Sequence, residues 1–165
     1  MERSDALRAL AYRPLTAPWG AAVDLFRFAG AWAPPVEQIA SGWGAWDGEQ
    51  ARGALLAERA GSSAMLHGPV VVAPPDAAPE SAFEIAGGLL GAVLDQAEGQ
   101  GMATLFTRPQ GLDRLWVRNG FIPVPEAELP DALRGRSGVG LFGWRDGTAL
   151  WSTAGRTAPR ARAGR

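Results

Sequence analysis

Apolar residues recur along this chain with two periods. Between Ala82 and Gln100, Ile85, Leu89, Leu90, Val93, Leu94 and Ala97 fall on one stripe. That spacing belongs to a helix with one buried face. Pro79, Glu80 and Ser81 supply its first turn and cap, and Gly99 and Gly101 end it. "PWGAAVDLFRFAGAW" repeats the helical spacing on a smaller scale, with Val23, Leu25 and Phe26 inward and Asp24 and Arg27 outward. "LDRLWVRNG" has Leu112, Leu115 and Trp116 at helical spacing, ahead of a stop at Asn119-Gly120.

The remaining apolar segments read as extended. "ALAYRPLT" is a first strand. "GALLAER" and "SSAMLHGPVVV" are two more, joined by a turn at Ala60 and Gly61, with Val70, Val71 and Val72 expected to be buried on both faces. "MATLFTRP" and "FIPVP" follow as strands. "VGLFGWRDGTALWS" reads as a hairpin with Asp146-Gly147 at its tip. "VEQIASGWGAWDGEQ" is broken by glycines and is expected to be a loop with a short helix at its start, and "EAELPDALRG" a short helix. The prolines of "APPDAAPES" make that stretch a loop. The order is strand, helix, strands, helix, strand, helix, strand, strand. It predicts an α/β (α+β) fold with a mixed, mainly antiparallel central sheet flanked by helices and right-handed β-α-β crossovers.

Composition narrows the chemistry. The chain has 165 residues, no cysteine and one histidine, His67. Thiolate metal sites, disulfides and multi-histidine centres are thereby excluded, and no metal is expected. All 16 basic residues are arginine, so a catalytic or Schiff-base lysine is excluded as well. Residues 1–153 hold 12 arginines against 17 acids, a formal charge of −5, which does not suit nucleic acid. Residues 1–153 are expected to form one domain, and residues 154–165, "AGRTAPRARAGR", a disordered arginine-rich tail. No apolar run approaches the ~20 residues of a membrane span. The expectation is a cytoplasmic protein with no membrane partner.

The element order together with "YRPLTAPW", "HGPVVVAP", "AGGLLGAVLDQAEGQGMATLF" and "LDRLWVRNGFIPV" resembles the GNAT family of acyl-CoA-dependent N-acetyltransferases over roughly residues 9–145. "EAELPDAL" is similar to acetylglutamate-synthase-like members. The resemblance implies acetyl-CoA as cofactor and transfer of an acyl group from its thioester to a small-molecule or peptide amine. It implies a pantetheine arm between splayed strands, beside Val71, Val72 and Ala73. It also implies a pyrophosphate at the start of the 82–100 helix, beside Ala86, Gly87 and Gly88.

The sequence departs from the family at three places. The phosphate loop maps onto Ser81, Ala82, Phe83, Glu84, Ile85 and Ala86, of which only Ala86 fits. Glu84 puts a carboxylate where a diphosphate is expected to lie. Trp116 stands where the family has a tyrosine acid, and an indole N–H cannot protonate a thiolate. Pro109 stands near a cofactor-contacting asparagine of many members.

For a base, His67 and Glu58 are the candidates; each also reads as an ordinary strand residue. Arg108, Asp113, Arg114 and Arg118 read either as an anion site or as helix-surface ion pairs. Trp32, Trp43 and Trp46 read either as an aromatic pocket or as core. Two functions follow: a divergent N-acyltransferase, or a catalytically inactive relative kept as a binding module, dimerising through the C-terminal hairpin.

Overall fold

A computed structural model describes residues 10–31, 34–109, 111–134 and 150–153. Among these residues, seven strands form one sheet in the order β1-β2-β3-β4-β5-β7-β6. They are β1 (Leu10–Pro14), β2 (Ile39–Asp47), β3 (Gln50–Ala60), β4 (Ser63–Val71), β5 (Thr104–Thr107), β6 (Ile122–Pro123) and β7 (Trp151–Ser152). β4 and β5 run parallel and every other neighbouring pair antiparallel. Among the described residues, three α-helices cover the sheet: α1 (Gly20–Phe28), the long α2 (Ser81–Gly99) and α3 (Asp113–Arg118). α2 joins the two parallel strands, the crossover that such a pair requires. Among the described residues, no helix is long and apolar enough to cross a membrane.

Alternation along the strands sends side chains to two faces. Leu55, Ala57, Ala64, Leu66 and Leu105 meet Ile85, Ala86, Leu89, Leu90, Val93 and Leu94 of α2, with Leu115, Trp116 and Phe121 beside them. Ala54, Leu56 and Val70 leave the opposite face and pack under Trp19, Ala22, Leu25 and Phe26. Met65 alternates with Ala64 and Leu66, so it too leaves the α1 face, where it packs with Phe106, Leu129, Leu133 and Leu150. The α2 stripe is thus the predicted one, with every member buried except the half-buried Ala97.

Two expected elements differ. The segment 39–47 is a strand and not a loop. Its glycines are there for closeness: a Cβ on Gly42 would lie 2.6 Å from Leu56 Cδ2, and one on Gly44 2.7 Å from Trp46 Nε1. The short helix expected in 126–135 is a pair of 3-10 turns, Glu126–Glu128 and Asp131–Leu133, divided at Pro130. Of the valine run, Val70 is buried but Val71 and Val72 are only half-buried. The tip of the predicted C-terminal hairpin, the proposed dimer contact and the arginine-rich tail lie outside the described residues; Trp151–Ser152 enters the sheet between β5 and β6.

Candidate active site

Four pairs join β4 to β5: Ser63 with Thr104, Ala64 with Leu105, Met65 with Phe106 and Leu66 with Thr107. There the pairing ends. β5 stops at Thr107, while β4 runs on through His67 to Val71, paired among the described residues only with β3. The result is a fork whose apex is Leu66–Thr107, where the Thr107 hydroxyl donates to the Leu66 carbonyl at 3.4 Å.

A bulge shapes the free arm of the fork. Between Ala54 and Leu56 of β3 the partner on β4 changes from Val70 to His67, so β4 holds one extra residue. Gly68 lies in it at φ 103, and a Cβ there would sit 3.0 Å from both the Ala54 carbonyl oxygen and the Val70 nitrogen. Only glycine accepts that backbone and that approach. Val72 donates its N–H to the Arg52 carbonyl at 2.8 Å. Backbone groups alternate along a strand, so the Val71 N–H is directed away from β3, toward the open edge. Ala73 follows it out of the sheet.

His67 is the first residue past the apex. Its Nε2 lies 2.7 Å from Oε2 of Glu58, which is only 2% exposed. Glu58 stands opposite Met65 in the β3–β4 register, and His67 is two residues further on the same face. A buried carboxylate needs such a partner, because an uncompensated one is costly. In the neutral ring, a hydrogen on Nε2 donated to a Glu58 carboxylate oxygen leaves the lone pair on Nδ1. The two candidates considered separately in the sequence are thus one hydrogen-bonded pair.

Arg108 is the first residue past the apex on the β5 side. It donates from Nη1 and Nη2 to the two carboxylate oxygens of Glu126, at 2.5 and 2.7 Å. This guanidinium holds the Glu126 carboxyl below the usual glutamate range, the hydrogen bond outweighing the opposing effect of burial. Arg114 and Arg118 are elsewhere, over the ring of Phe83 at 5.7 and 5.3 Å from its centre. The arginine cluster of the sequence is therefore two separate features.

The front of α2 opens where its cap residues predict, which leaves the three residues named for the pyrophosphate too deep. The helix starts at Ser81, so Ala86, Gly87 and Gly88 lie inside it. Amides at that depth bond back into the helix and are not free for a phosphate. Ala86 is fully buried in the core. Gly88 is occupied by packing: a Cβ there would lie 2.3 Å from Tyr12 Cζ. The Ser81 and Glu84 amides already donate to the Ala78 and Glu80 carbonyls, leaving those of Ala82 and Phe83 as the first-turn donors. Ser81 Oγ is buried with no hydrogen-bond partner among the described residues. Tyr12, the chain's one tyrosine, has its phenol raised above 10.0 by burial and then by the Glu84 carboxylate. Trp116 is 1% exposed, edge-on to Phe121 at 4.8 Å. Trp43 donates to Gln96 and Trp46 lies under Arg13, so these two form no shared pocket; Trp32 lies outside the described residues.

This seven-stranded sheet with its crossover helix is similar in overall fold to solved acetyltransferases. A GNAT-family acetyltransferase from Staphylococcus aureus Mu50 superposes with a TM-score of 0.62 at 10% identity, over 87% of this chain and 98% of that one. The fold is that of the GNAT acetyltransferases. The ribosomal-protein-S18-alanine N-acetyltransferase of Escherichia coli is similar over 87% of this chain and 92% of its own, with a TM-score of 0.59 and 16% identity. An aminoglycoside 6'-acetyltransferase type Ii gives 0.57 and 14%, over 86% and 95%. Neither a family model nor a curated protein matches the sequence.

The GNAT neighbours include an N-acetylglutamate synthase of Neisseria gonorrhoeae in complex with coenzyme A, 14% identical, of which this chain spans 34%. Tested against such a ligand, this chain fits along the arm. Among the described residues, the edge of β4 beyond Leu66 has backbone groups without a strand partner that could meet a pantetheine amide, and the Ala82 and Phe83 amides and the Ser81 hydroxyl, which has no hydrogen-bond partner there, stand at the helix front. The Glu84 carboxylate in the first turn is the opposing feature.

Proposed function

We propose that this protein is an N-acyltransferase that moves an acyl group from an acyl-CoA, acetyl-CoA being the simplest, to an amine. The observation that carries the reading is the Glu58–His67 pair at the apex of a fork left open between two parallel strands. A bound thioester supplies an activated acyl carbon. Amide formation joins the amine nitrogen to that carbon and releases a thiol, so the amine must lose a proton. His67 Nδ1 takes it. Glu58 fixes the ring through Nε2 and stabilises the imidazolium by charge. The free edge of β4 orients the arm, and the apolar walls around Phe26 and Val70 exclude water. Trp116 gives no proton to the leaving thiolate, and Tyr12 lies against Gly88, so that proton comes from His67 or from water.

Thiol release from acetyl-CoA, followed over a panel of amines, tests this. Turnover that falls at least a hundredfold in His67→Gln is expected. Turnover unchanged in that variant, or none with any amine, overturns the reading. The rival, a silent binding module, draws on Glu84 and on the buried Trp116, and it predicts the second of those failures.

A further inference from the structure

Resting on the acyltransferase reading, we infer that the acceptor amine carries a carboxylate, held by Arg108 in the place now taken by Glu126. Three observations lead there. The first is register. Met65 and Phe106 are paired across β4 and β5 and pack in one cluster on the α1 face. Two residues further on stand His67, still in β4, and Arg108, the residue just past the end of β5. Arg108 is bound to Glu126, which opens the segment whose Leu129 and Leu133 cover Met65 and Phe106. His67 on β4 and Arg108 just after β5 therefore stand on the same side of the sheet, on either side of the apex. An amine presented to His67 has its neighbouring substituent beside Arg108.

The second observation is the shape of what Arg108 already binds. Two guanidinium nitrogens meet two oxygens of one carboxylate. That fork-to-fork arrangement suits a planar carboxylate better than a point charge or a neutral amide. The third is asymmetry of exposure. The Arg108 side chain is 11% exposed and that of Glu126 61%. The guanidinium is fixed in the wall, whereas the glutamate can turn out into water. Glu126 also lies in a three-residue 3-10 turn after Pro125, a short element that moves more readily than a strand. Exchange of one carboxylate for another leaves Arg108 paired throughout, which avoids stranding a half-buried charge. An α-amino acid has the required layout, its amine and carboxylate being separated by a single carbon.

The test measures thiol release at saturating acetyl-CoA with free amino acids and with their C-terminal amides, alongside melting-temperature shifts produced by the same compounds without acetyl-CoA. The acids should exceed their amides at least tenfold in kcat/KM. Glu126→Gln, which removes the charged competitor, should lower KM for the acids several-fold while changing kcat less. Arg108→Gln should abolish the preference for acids over amides. Equal turnover of acids and amides would overturn the inference while leaving the transferase reading standing. Melting shifts by the acids in the Glu126→Gln variant, with no turnover of any amine, would do the reverse: the carboxylate site would stand and the transferase reading fall. A KM unchanged or raised in Glu126→Gln, or no shift and no turnover with any acid, counts against the site, whether or not Arg108→Gln folds.

Discussion

The two faces of the sheet are built by opposite rules. On the α2 face, Ile85, Leu89, Leu90, Val93 and Leu94 press on Leu55, Ala57, Ala64 and Leu66 with no charged side chain between them. On the α1 face the apolar cluster is split in two, and between the parts stand Glu58 and His67, with Arg108 and Glu126 at the fork. One face holds the fold together by removing apolar surface from water. The other accepts the cost of half-buried charge and meets it by pairing. A change on one face should therefore read out in stability, and a change on the other in chemistry.

The largest expected separation comes from His67→Gln. It should lower kcat/KM for acyl transfer by about 10²–10⁴-fold, with the melting temperature nearly kept. Its counterpart is Leu89→Ala on the α2 face. Leu89 is fully buried, so its truncation should cost about 2–5 kcal/mol in denaturant unfolding while the folded fraction turns over normally. If the two variants exchanged phenotypes, the division between the faces would be wrong.

A sharper test of the α2 face lies at its rim. Gly88→Ala sets a methyl against Tyr12 and should destabilise by about 1–3 kcal/mol. Tyr12→Leu in the same chain should recover most of that loss, because the two positions touch. Additive effects would mean that Tyr12 does not lie on Gly88.

The smallest effect concerns the Arg108–Glu126 pair. The folded Glu126 carboxyl titrates below its ordinary 4.5, chiefly because Arg108 donates to it. A lowered carboxylate value contributes stability above the unfolded value and loses it as the pH falls through the folded one. Stability should therefore decline below about pH 4.5, and Glu126→Gln should show slightly less of that decline. With Glu126 largely exposed, the difference will be small and will shrink with salt. An acid transition identical in both proteins would show that the pair carries no linkage.

What the sequence disclosed divides along the same line. The α2 stripe and the β3 and β4 runs were legible because burial repeats at a fixed period there. β2 was not, because Gly42 and Gly44 read as breaks until Leu56 and Trp46 are seen lying against them. The helix expected after Pro125 became two 3-10 turns at Pro130, a stop signal already present in the sequence. His67 and Glu58 were both visible as candidates, but their pairing depends on the register. Counting out from the turn, Ser63 opposite Ala60 gives Met65 opposite Glu58 and carries His67 to the same face, so the signal existed in the hairpin length. Arg108 and Glu126 stand eighteen residues apart across a helix and a strand, and no local spacing joins them. Gly87 and Gly88 came from the family resemblance alone, and a helix opening at Ser81 puts them in its second turn.

Hydrogen exchange in the presence of acetyl-CoA tests the central claim most directly, since it locates the ligand without requiring turnover. The account predicts slowed exchange at residues 67–73, along the free arm of the fork, and at residues 81–84, with no change at residues 54–58 of β3. Protection confined to other segments, or none at millimolar acetyl-CoA, would contradict it.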